Sequence, residues 1–311
     1  MYNLKNIIKN LKQNKKIFII GAAIVDIIIK IDKLPLSGED ITATSSAKSV
    51  GGCAFNVADV LDKLKLQFDL MIPIGKGIYS NIVKTEMQKK NYNINIIEGN
   101  IDNGYCLSIV ENNGERTFIT IPGIETKMQE AFFNKYNIQD YDFIYISGYE
   151  AEGENGNVLL NILKKKKLSA KVIFDTGPRV SFIDKSIIKE LLKQNTILTI
   201  NKEEAIKITQ NDNIVEAIKQ INFLTQEPVI ITLGKDGAIL LNENKKIEKI
   251  SGFTVSVKDT IGAGDAHTGG IIAGLACNLP LDKSVYLANK IASIVVSKSG
   301  AATAPSIDEL I

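Results

Sequence analysis

The sequence predicts an α/β fold: a doubly wound, mainly parallel sheet with helices on both faces, accompanied by a small β-sheet acting as a lid. Three observations predict it. The short β-branched runs KIFIIGAAIVDIII, DLMIPIG, DFIYISG, KVIFD, TILTIN and PVIITLG are apolar enough to be strands buried on both faces. Amphipathic segments at 54–66, 155–168, 183–193 and 214–224 alternate with them, as crossover helices covering a parallel sheet would. Two stretches break the alternation. LPLSGEDITATSSAKSV has no helix period, and Tyr105 to Ile121 reads as two strands joined by the turn residues Asn112, Asn113 and Gly114.

Taken in order, residues 1–16 place Leu4, Ile7, Ile8 and Leu11 at helical spacing among lysines, a short helix packed ahead of the first strand. The run Ile17 to Ile31 reads as a buried strand rather than the core of a signal peptide, because Asp26 interrupts it and no small-residue cleavage site is visible. The excursions at about 30–49 and 103–122 return to the main sheet near glycines, which favours a lid over a second domain; periodicity alone fits an edge extension equally well. Lys164 to Lys167 is a solvated helix end. The expected organisation is a helical extension over 1–16 and one domain over 17–311.

Composition removes whole classes of function. The 311 residues are 45% apolar and 23% charged, enough for a sizeable core. A net charge of +2 leaves no field for gripping nucleic acid or an anionic membrane. No stretch reaches the about 18 apolar residues that a membrane span requires. Cys53, Cys106 and Cys277 are too few and too scattered for a disulfide framework or a paired CxxC zinc site, which points to a reducing cytosol. The single histidine, His267, has none of the company that Ser-His-Asp, Cys-His or HExxH chemistry needs.

Chemistry concentrates in DTIGAGD at 259–265, which leads into a helix of small and apolar residues. Gly262 and Gly264 let the backbone approach a ligand closely, and a helix start leaves N–H donors unpaired at the positive end of its dipole. Such donors suit a transferring phosphoryl group, with Asp265 placed to accept a proton. A carboxylate at a helix N-terminus has its charged form favoured, so Asp265 is expected to be a weak base that acts late. Taken alone, the segment reads equally as a glycine-rich strand-to-helix turn. There is no GxxxxGK[ST], and GAGDAH lacks the third glycine of a dinucleotide fingerprint.

A second constellation lies near the N-terminus. Asp26 sits in an apolar strand, and Gly51 and Gly52 open a helix carrying Asn56. A carboxylate, exposed N–H groups and a carboxamide supply the acceptors and donors that a polyhydroxylated ligand needs. Individually, Asp26 as a loop cap and Asn56 as a surface residue are the commoner roles.

GGCAFNVADVLDKL at 51–64 and DTIGAGDAHTGG at 259–270 together resemble the two signatures of the ribokinase-like, or PfkB, carbohydrate kinases, and the likeness extends from GAAIVD at 21–26 to SGAATAPS at 299–306. The resemblance implies a ribokinase-like fold and ATP-dependent phosphorylation of a hydroxymethyl group of a sugar. It makes Asp265 the catalytic base and Gly262, Ala263 and Gly264 the anion hole. Asp26, Gly51, Gly52 and Asn56 match the positions that hold sugar hydroxyls. Asn201 and Glu204, in NKEEA, match an Asn-x-x-Glu that organises Mg2+ through water, although outside this context NKEEA reads as a capped helix start. Thr232, Gly234 and Gly237 match the nucleotide-binding strand and loop, and Asn289 the adenine pocket. Many relatives bind K+ beside the anion hole, for which Asp259 and carbonyls around Ala292 to Gly300 would serve; Ile261 stands where ribokinases have a hydroxyl residue.

Other departures bear on substrate. Ile24 replaces a sugar-contacting asparagine of ribokinases, which disfavours ribose, and His267 replaces a usual phenylalanine in a packing role. Arg116 and Arg179 are the only arginines. Arg116 reads first as a hairpin-surface charge and second as a lid residue closing over substrate; Arg179, in DTGPR at a strand end, fits an acidic sugar or the transferred phosphate. A nucleoside kinase, with Tyr105 or Phe118 stacking on a base, and a catalytically silent sugar-binding regulator are the alternatives. Unpaired edges on a small exposed sheet also suggest a homodimer through the lid.

Overall fold

The computed structural model describes residues 2–97 and 99–311. In chain order the strands are β1 (Ile17–Ile20), β2 (Ile24–Ile31), β3 (Ser45–Gly51), β4 (Asp69–Met71), β5 (Pro73–Ile74), β6 (Asn95–Ile96) and β7 (Tyr105–Glu111). There follow β8 (Arg116–Ile121), β9 (Phe143–Ser147), β10 (Lys171–Asp175), β11 (Thr196–Asn201), β12 (Val229–Thr232), β13 (Ala238–Leu241) and β14 (Ile247–Ile250). The helices are α1 (Leu4–Lys9), α2 (Cys53–Lys63), α3 (Ile78–Lys89), α4 (Gly153–Leu163) and α5 (Lys185–Leu192). The rest are α6 (Lys202–Thr209), α7 (Ile214–Thr225), α8 (Ala263–Ala276), α9 (Leu281–Val295) and α10 (Ile307–Leu310).

Eight strands form the main sheet in the order β14-β13-β12-β11-β10-β9-β1-β4. All neighbours are parallel except β13, which runs antiparallel to β12 and β14. The sheet is buried on both faces, and β1 shows why its sequence is apolar at every position. Ile17 and Ile19 enter a core shared with α2, α8 and α9, whereas Phe18 and Ile20 enter the opposite core with α4, α5 and α7. Ile7 and Ile8 of α1 join the first of these cores. On α8, Gly270 permits close approach to α9, since a Cβ there would lie 2.7 Å from the Cα of Ala288.

The apolar run 17–31, expected as one strand, is two. After Ile20 the chain leaves the main sheet through Gly21, Ala22 and Ala23, and β2 starts a separate four-stranded sheet of order β3-β2-β7-β8. Small side chains make this crossing feasible: a Cβ on Gly52, whose φ is +105°, would lie 2.6 Å from the carbonyl oxygen of Ala22. The split also explains Asp26. It belongs to the small sheet, opposite Ser49, rather than to a strand sealed inside the main core, although burial still acts on its carboxylate. The β7–β8 hairpin turns at the expected Asn112, Asn113 and Gly114, and the small sheet forms a lid beside the carboxyl ends of the main strands. Among the described residues no helix is long and apolar enough to cross a membrane.

Candidate active site

Strand β3 ends on Gly51, opposite β2, and here the two glycines have distinct uses. The carboxylate of Asp26 rests against the bare backbone of Gly51, where a Cβ would lie 2.2 Å from Asp26 Oδ2. Gly52 caps α2 without a side chain, and one turn later Asn56 donates from Nδ2 to Asp265 Oδ2 at 2.7 Å. Its carbonyl oxygen accepts the Ala302 N–H at 3.1 Å, so both ends of the carboxamide are engaged.

Asp265 lies in the first turn of α8, whose N-cap Gly262 has φ +72°, the left-handed region that favours glycine. No side chain caps this helix. Ala263, expected to contribute to the anion hole, already donates its N–H to the Thr260 carbonyl at 3.2 Å, whereas the N–H groups of Gly264 and Asp265 have no backbone partner among the described residues. The expectation that the helix terminus would make Asp265 a weak base is overturned. Burial raises its pKa above the usual carboxylate value, and the hydrogen bonds from Asn56 and the Cys53 thiol offset this only in part.

Gly262, Ala263, Gly264 and Asp265 line a cavity of about 290 Å³ together with Cys53, Ser147, Asp175, Asn201, Glu204, Thr232 and Thr260, whereas Asp26, Gly51, Gly52 and Asn56 lie outside its lining. Carboxylates dominate in and around it, and burial lifts each of them. Asp26 is pushed up to about 6, with Asp265 adding to the effect. Asp175 is pushed up to about 8 by burial and then by the neighbouring charges of Glu204 and Asp265, although it accepts hydrogen bonds from Thr268 Oγ1 and the Gly177 N–H, both at 3.0 Å. Glu150, adjoining the cavity, is pushed up to about 7 by burial despite the Ser147 hydroxyl. So much negative charge in a small volume calls for a cation.

Asn201 and Glu204 sit at the start of α6 as a full capping box. Asn201 Oδ1 accepts the Glu204 N–H at 2.9 Å, and Glu204 Oε2 accepts the Asn201 N–H at 2.9 Å. The capped helix start and the cavity wall are thus the same two residues. Among the described residues no group of three or more His, Cys, Asp or Glu is placed to hold a metal directly, so these two fit a hydrated ion that arrives with its ligand's own oxygens.

Not every expected residue joins the cavity. Thr232 does, but Gly237 is bound into its own turn, where a Cβ would lie 2.1 Å from the Ile250 carbonyl oxygen, and Gly234 opens that turn at φ +60°. Asn289 is buried and fully engaged: Nδ2 donates to the carbonyls of Ile250 and Ser251, both at 3.1 Å, and Oδ1 faces His267 Nε2 at 2.9 Å. Since both amide protons are used, Nε2 is the donor of that pair, and His267 is a neutral packed ring whose pKa burial lowers to about 4.

Both arginines are paired. Arg179 forms a fork with Glu152 and packs against the rings of Tyr149 and Phe182. Arg116 is not the free surface charge that its hairpin position suggested. Its Nη1 reaches 2.9 Å from Asp259 Oδ1, while the Asp259 carboxylate also accepts the N–H groups of Ile261 at 2.9 Å and Gly300 at 3.0 Å. Both Asp259 oxygens already accept an N–H group, the Val296 carbonyl among those offered with them for K+ accepts two, and a guanidinium stands beside the carboxylate; the residues present do not fit that ion.

Glu150 and Cys53 escaped the sequence argument. Their available signal was position: Glu150 follows the carboxyl end of β9 and Cys53 opens α2, places where an open sheet gathers its ligands.

Comparison with known proteins agrees with this geometry. The pfkB family carbohydrate kinase model matches residues 14–308. The chain is 31% identical over 312 residues to the uncharacterized sugar kinase YegV of Escherichia coli (strain K12), covering 99% of this chain and 97% of that one. Its fold matches a ribokinase from Thermotoga maritima at a TM-score of 0.85 and 22% identity, covering 96% of this chain and 98% of the other. It also matches the Methanocaldococcus jannaschii nucleoside kinase at 0.81 and 22%, covering 96% and 97%. At those identities the two structures speak for the fold alone. With the family match spanning most of the chain and the two signatures joined by the Asn56–Asp265 hydrogen bond, this protein belongs to the pfkB family of carbohydrate kinases.

Proposed function

We propose that this protein transfers the γ-phosphoryl group of ATP, with Mg2+, to a hydroxymethyl group of a small sugar, with Asp265 as the base. One observation carries the proposal: the Asp265 carboxylate, held by Asn56, stands beside the unpartnered N–H groups at the start of α8 in the same cavity as Asn201, Glu204 and Thr232. Asp265 orients the acceptor hydroxyl; as the hydroxyl oxygen bonds to the γ-phosphorus, the bond from that phosphorus to the bridging oxygen of ADP breaks and ADP leaves, while the hydroxyl proton passes to the carboxylate. The raised pKa makes Asp265 a better proton acceptor than a surface aspartate. The N–H groups of Gly264 and Asp265 and the α8 dipole stabilise the charge of the migrating group.

Asp26 and the backbone at Gly51 and Gly52 hold the other hydroxyls, and Asn56 contributes by fixing Asp265. Asn201, Glu204 and the strand carrying Thr232, with its Gly234–Gly237 turn, flank the nucleotide. Mg2+ would neutralise charge on the transferred phosphate, with Asn201 and Glu204 holding its hydration shell. The single domain over 17–311 closes its small sheet over this site and excludes water.

A sugar is favoured over a nucleoside because Tyr105 is committed: its ring stacks on Tyr79 at 4.3 Å, so that of the two expected stackers Phe118 alone stays exposed. The intact site speaks against a silent regulator. The face of the small sheet turned away from Asp26 carries half-buried Ile29 and Ile109 with exposed Ile119, a surface for a second copy. Three unpaired thiols fit a cytosolic setting.

The test is ADP release across a panel of sugars and nucleosides, with Asp265→Asn as control. Turnover of a sugar that Asp265→Asn abolishes is the expected result. Sugar binding without turnover on the whole panel favours the silent regulator, and turnover confined to nucleosides replaces the sugar.

A further inference from the structure

Asp259 is 6% exposed and Arg116 reaches it from the lid. Through the register Cys106 with Thr120 and Val110 with Arg116, this arginine shares the face of the small sheet that carries Asp26. The carboxylate it meets ties two other segments together: Oδ1 accepts the Ile261 N–H next to the Gly262 turn, and Oδ2 accepts the Gly300 N–H near the C-terminus. Two backbone donors satisfy hydrogen bonds without cancelling a buried charge, which needs a counter-ion. Val296, within the stretch of carbonyls that would complete an alkali-metal site, already accepts the N–H groups of Lys258 at 2.8 Å and Asp259 at 3.2 Å.

We propose that the Arg116 guanidinium is the built-in monovalent cation of this protein, standing where the family resemblance places potassium and positioning the Asp259–Gly262 loop, so that the site needs no alkali-metal ion. Arginine suits the task because its charge is permanent and its planar group can bond a carboxylate without shedding a tight hydration shell. Arg116 is a positioning residue: it acts through Asp259 on the turn that presents the α8 N–H groups. The proposal deepens the kinase assignment, and its test uses no turnover, so a failed kinase assignment leaves the result readable.

The full-length protein is compared in KCl and in tetramethylammonium chloride at equal ionic strength, by thermal unfolding and by equilibrium dialysis with radioactive rubidium as the probe. The wild type is expected to melt at the same temperature in both salts and to show no saturable rubidium binding. Arg116→Ala should melt lower in tetramethylammonium, recover in KCl or in millimolar guanidinium, and acquire saturable rubidium binding. Arg116→Lys, which keeps the charge, should stay indifferent to potassium. Rescue by a free cation is something that lost packing alone would not produce. Saturable rubidium binding by the wild type with a matching rise in Tm, or an Arg116→Ala protein indifferent to both cations, overturns the proposal. The wild-type dialysis decides the question even where Arg116→Ala fails to fold.

Discussion

Asn56 and Asp265, 209 residues apart in the chain, are joined by a 2.7 Å hydrogen bond in which the carboxamide donates to the carboxylate. That bond makes one site of two signatures. It also gives Asn56 a defined electrostatic effect, because a donor to the charged form lowers the pKa of Asp265 against the larger effect of burial. Asn56→Ala should therefore move the acid limb of the pH–rate profile to higher pH. An unmoved limb with an unchanged rate would show that the bond has no hold on the base.

Asp265→Asn should lower the turnover rate by about 10²–10⁴-fold, the usual reach of general-base catalysis, while ATP binding measured by calorimetry stays close to wild type. A comparable loss of nucleotide affinity would indicate that Asp265 serves binding rather than proton transfer.

Gly262→Ala introduces a Cβ at φ +72° and 3.2 Å from Asn56 Nδ2. The left-handed conformation alone costs about 1–2 kcal/mol. Denaturant unfolding should show that loss, and turnover should fall more than stability accounts for, since the new Cβ presses on the group that aligns Asp265.

Asp175 binds its proton more tightly in the folded state, from an ordinary 3.8 to about 8, than in the unfolded one. Its contribution to stability is fully present below its unfolded value and is lost as pH rises through about 8. His267 acts in the opposite sense. Its folded pKa of about 4 lies below the ordinary 6.5, so its contribution is present above 6.5 and is lost as pH falls toward 4. Between about pH 6.5 and 8 the raised carboxylates act without His267, Asp175 over the whole window and Glu150 up to about 7, and Tm of the ligand-free protein should decline there. Asp175→Asn should flatten that decline. Mg2+ with ATP should flatten it too if the surplus charge is what the cation relieves.

Much of this was legible in the sequence because it depends on neighbours along the chain. The β7–β8 turn, the amphipathic helices and the glycines at 51–52 and 262 each announce a backbone geometry locally. The division of the run 17–31 was hidden because its two halves are equally apolar, and only pairing partners from distant segments assign one to each sheet. The ion pair of Arg116 and the hydrogen bonds of Asn289 were hidden for a related reason. A side chain's chemistry shows what it can bond, but the Asp259 carboxylate and the Ile250 and Ser251 carbonyls that claim these two come from elsewhere in the chain. The pKa of Asp265 was misjudged because a helix terminus is visible in a sequence and desolvation is not.

Only Gly21, Ala22 and Ala23 separate β1 from β2, and the return path passes the same spot where Gly52 nearly touches Ala22. Outgoing and incoming chain thus pass each other at one narrow point, four residues before Asp26. On the proposed assignment, the carboxylate that would hold the acceptor's hydroxyls is carried by the lid itself. Bulkier residues at Ala22 should then alter how long an acceptor is retained, a dissociation rate, more than which acceptor is chosen.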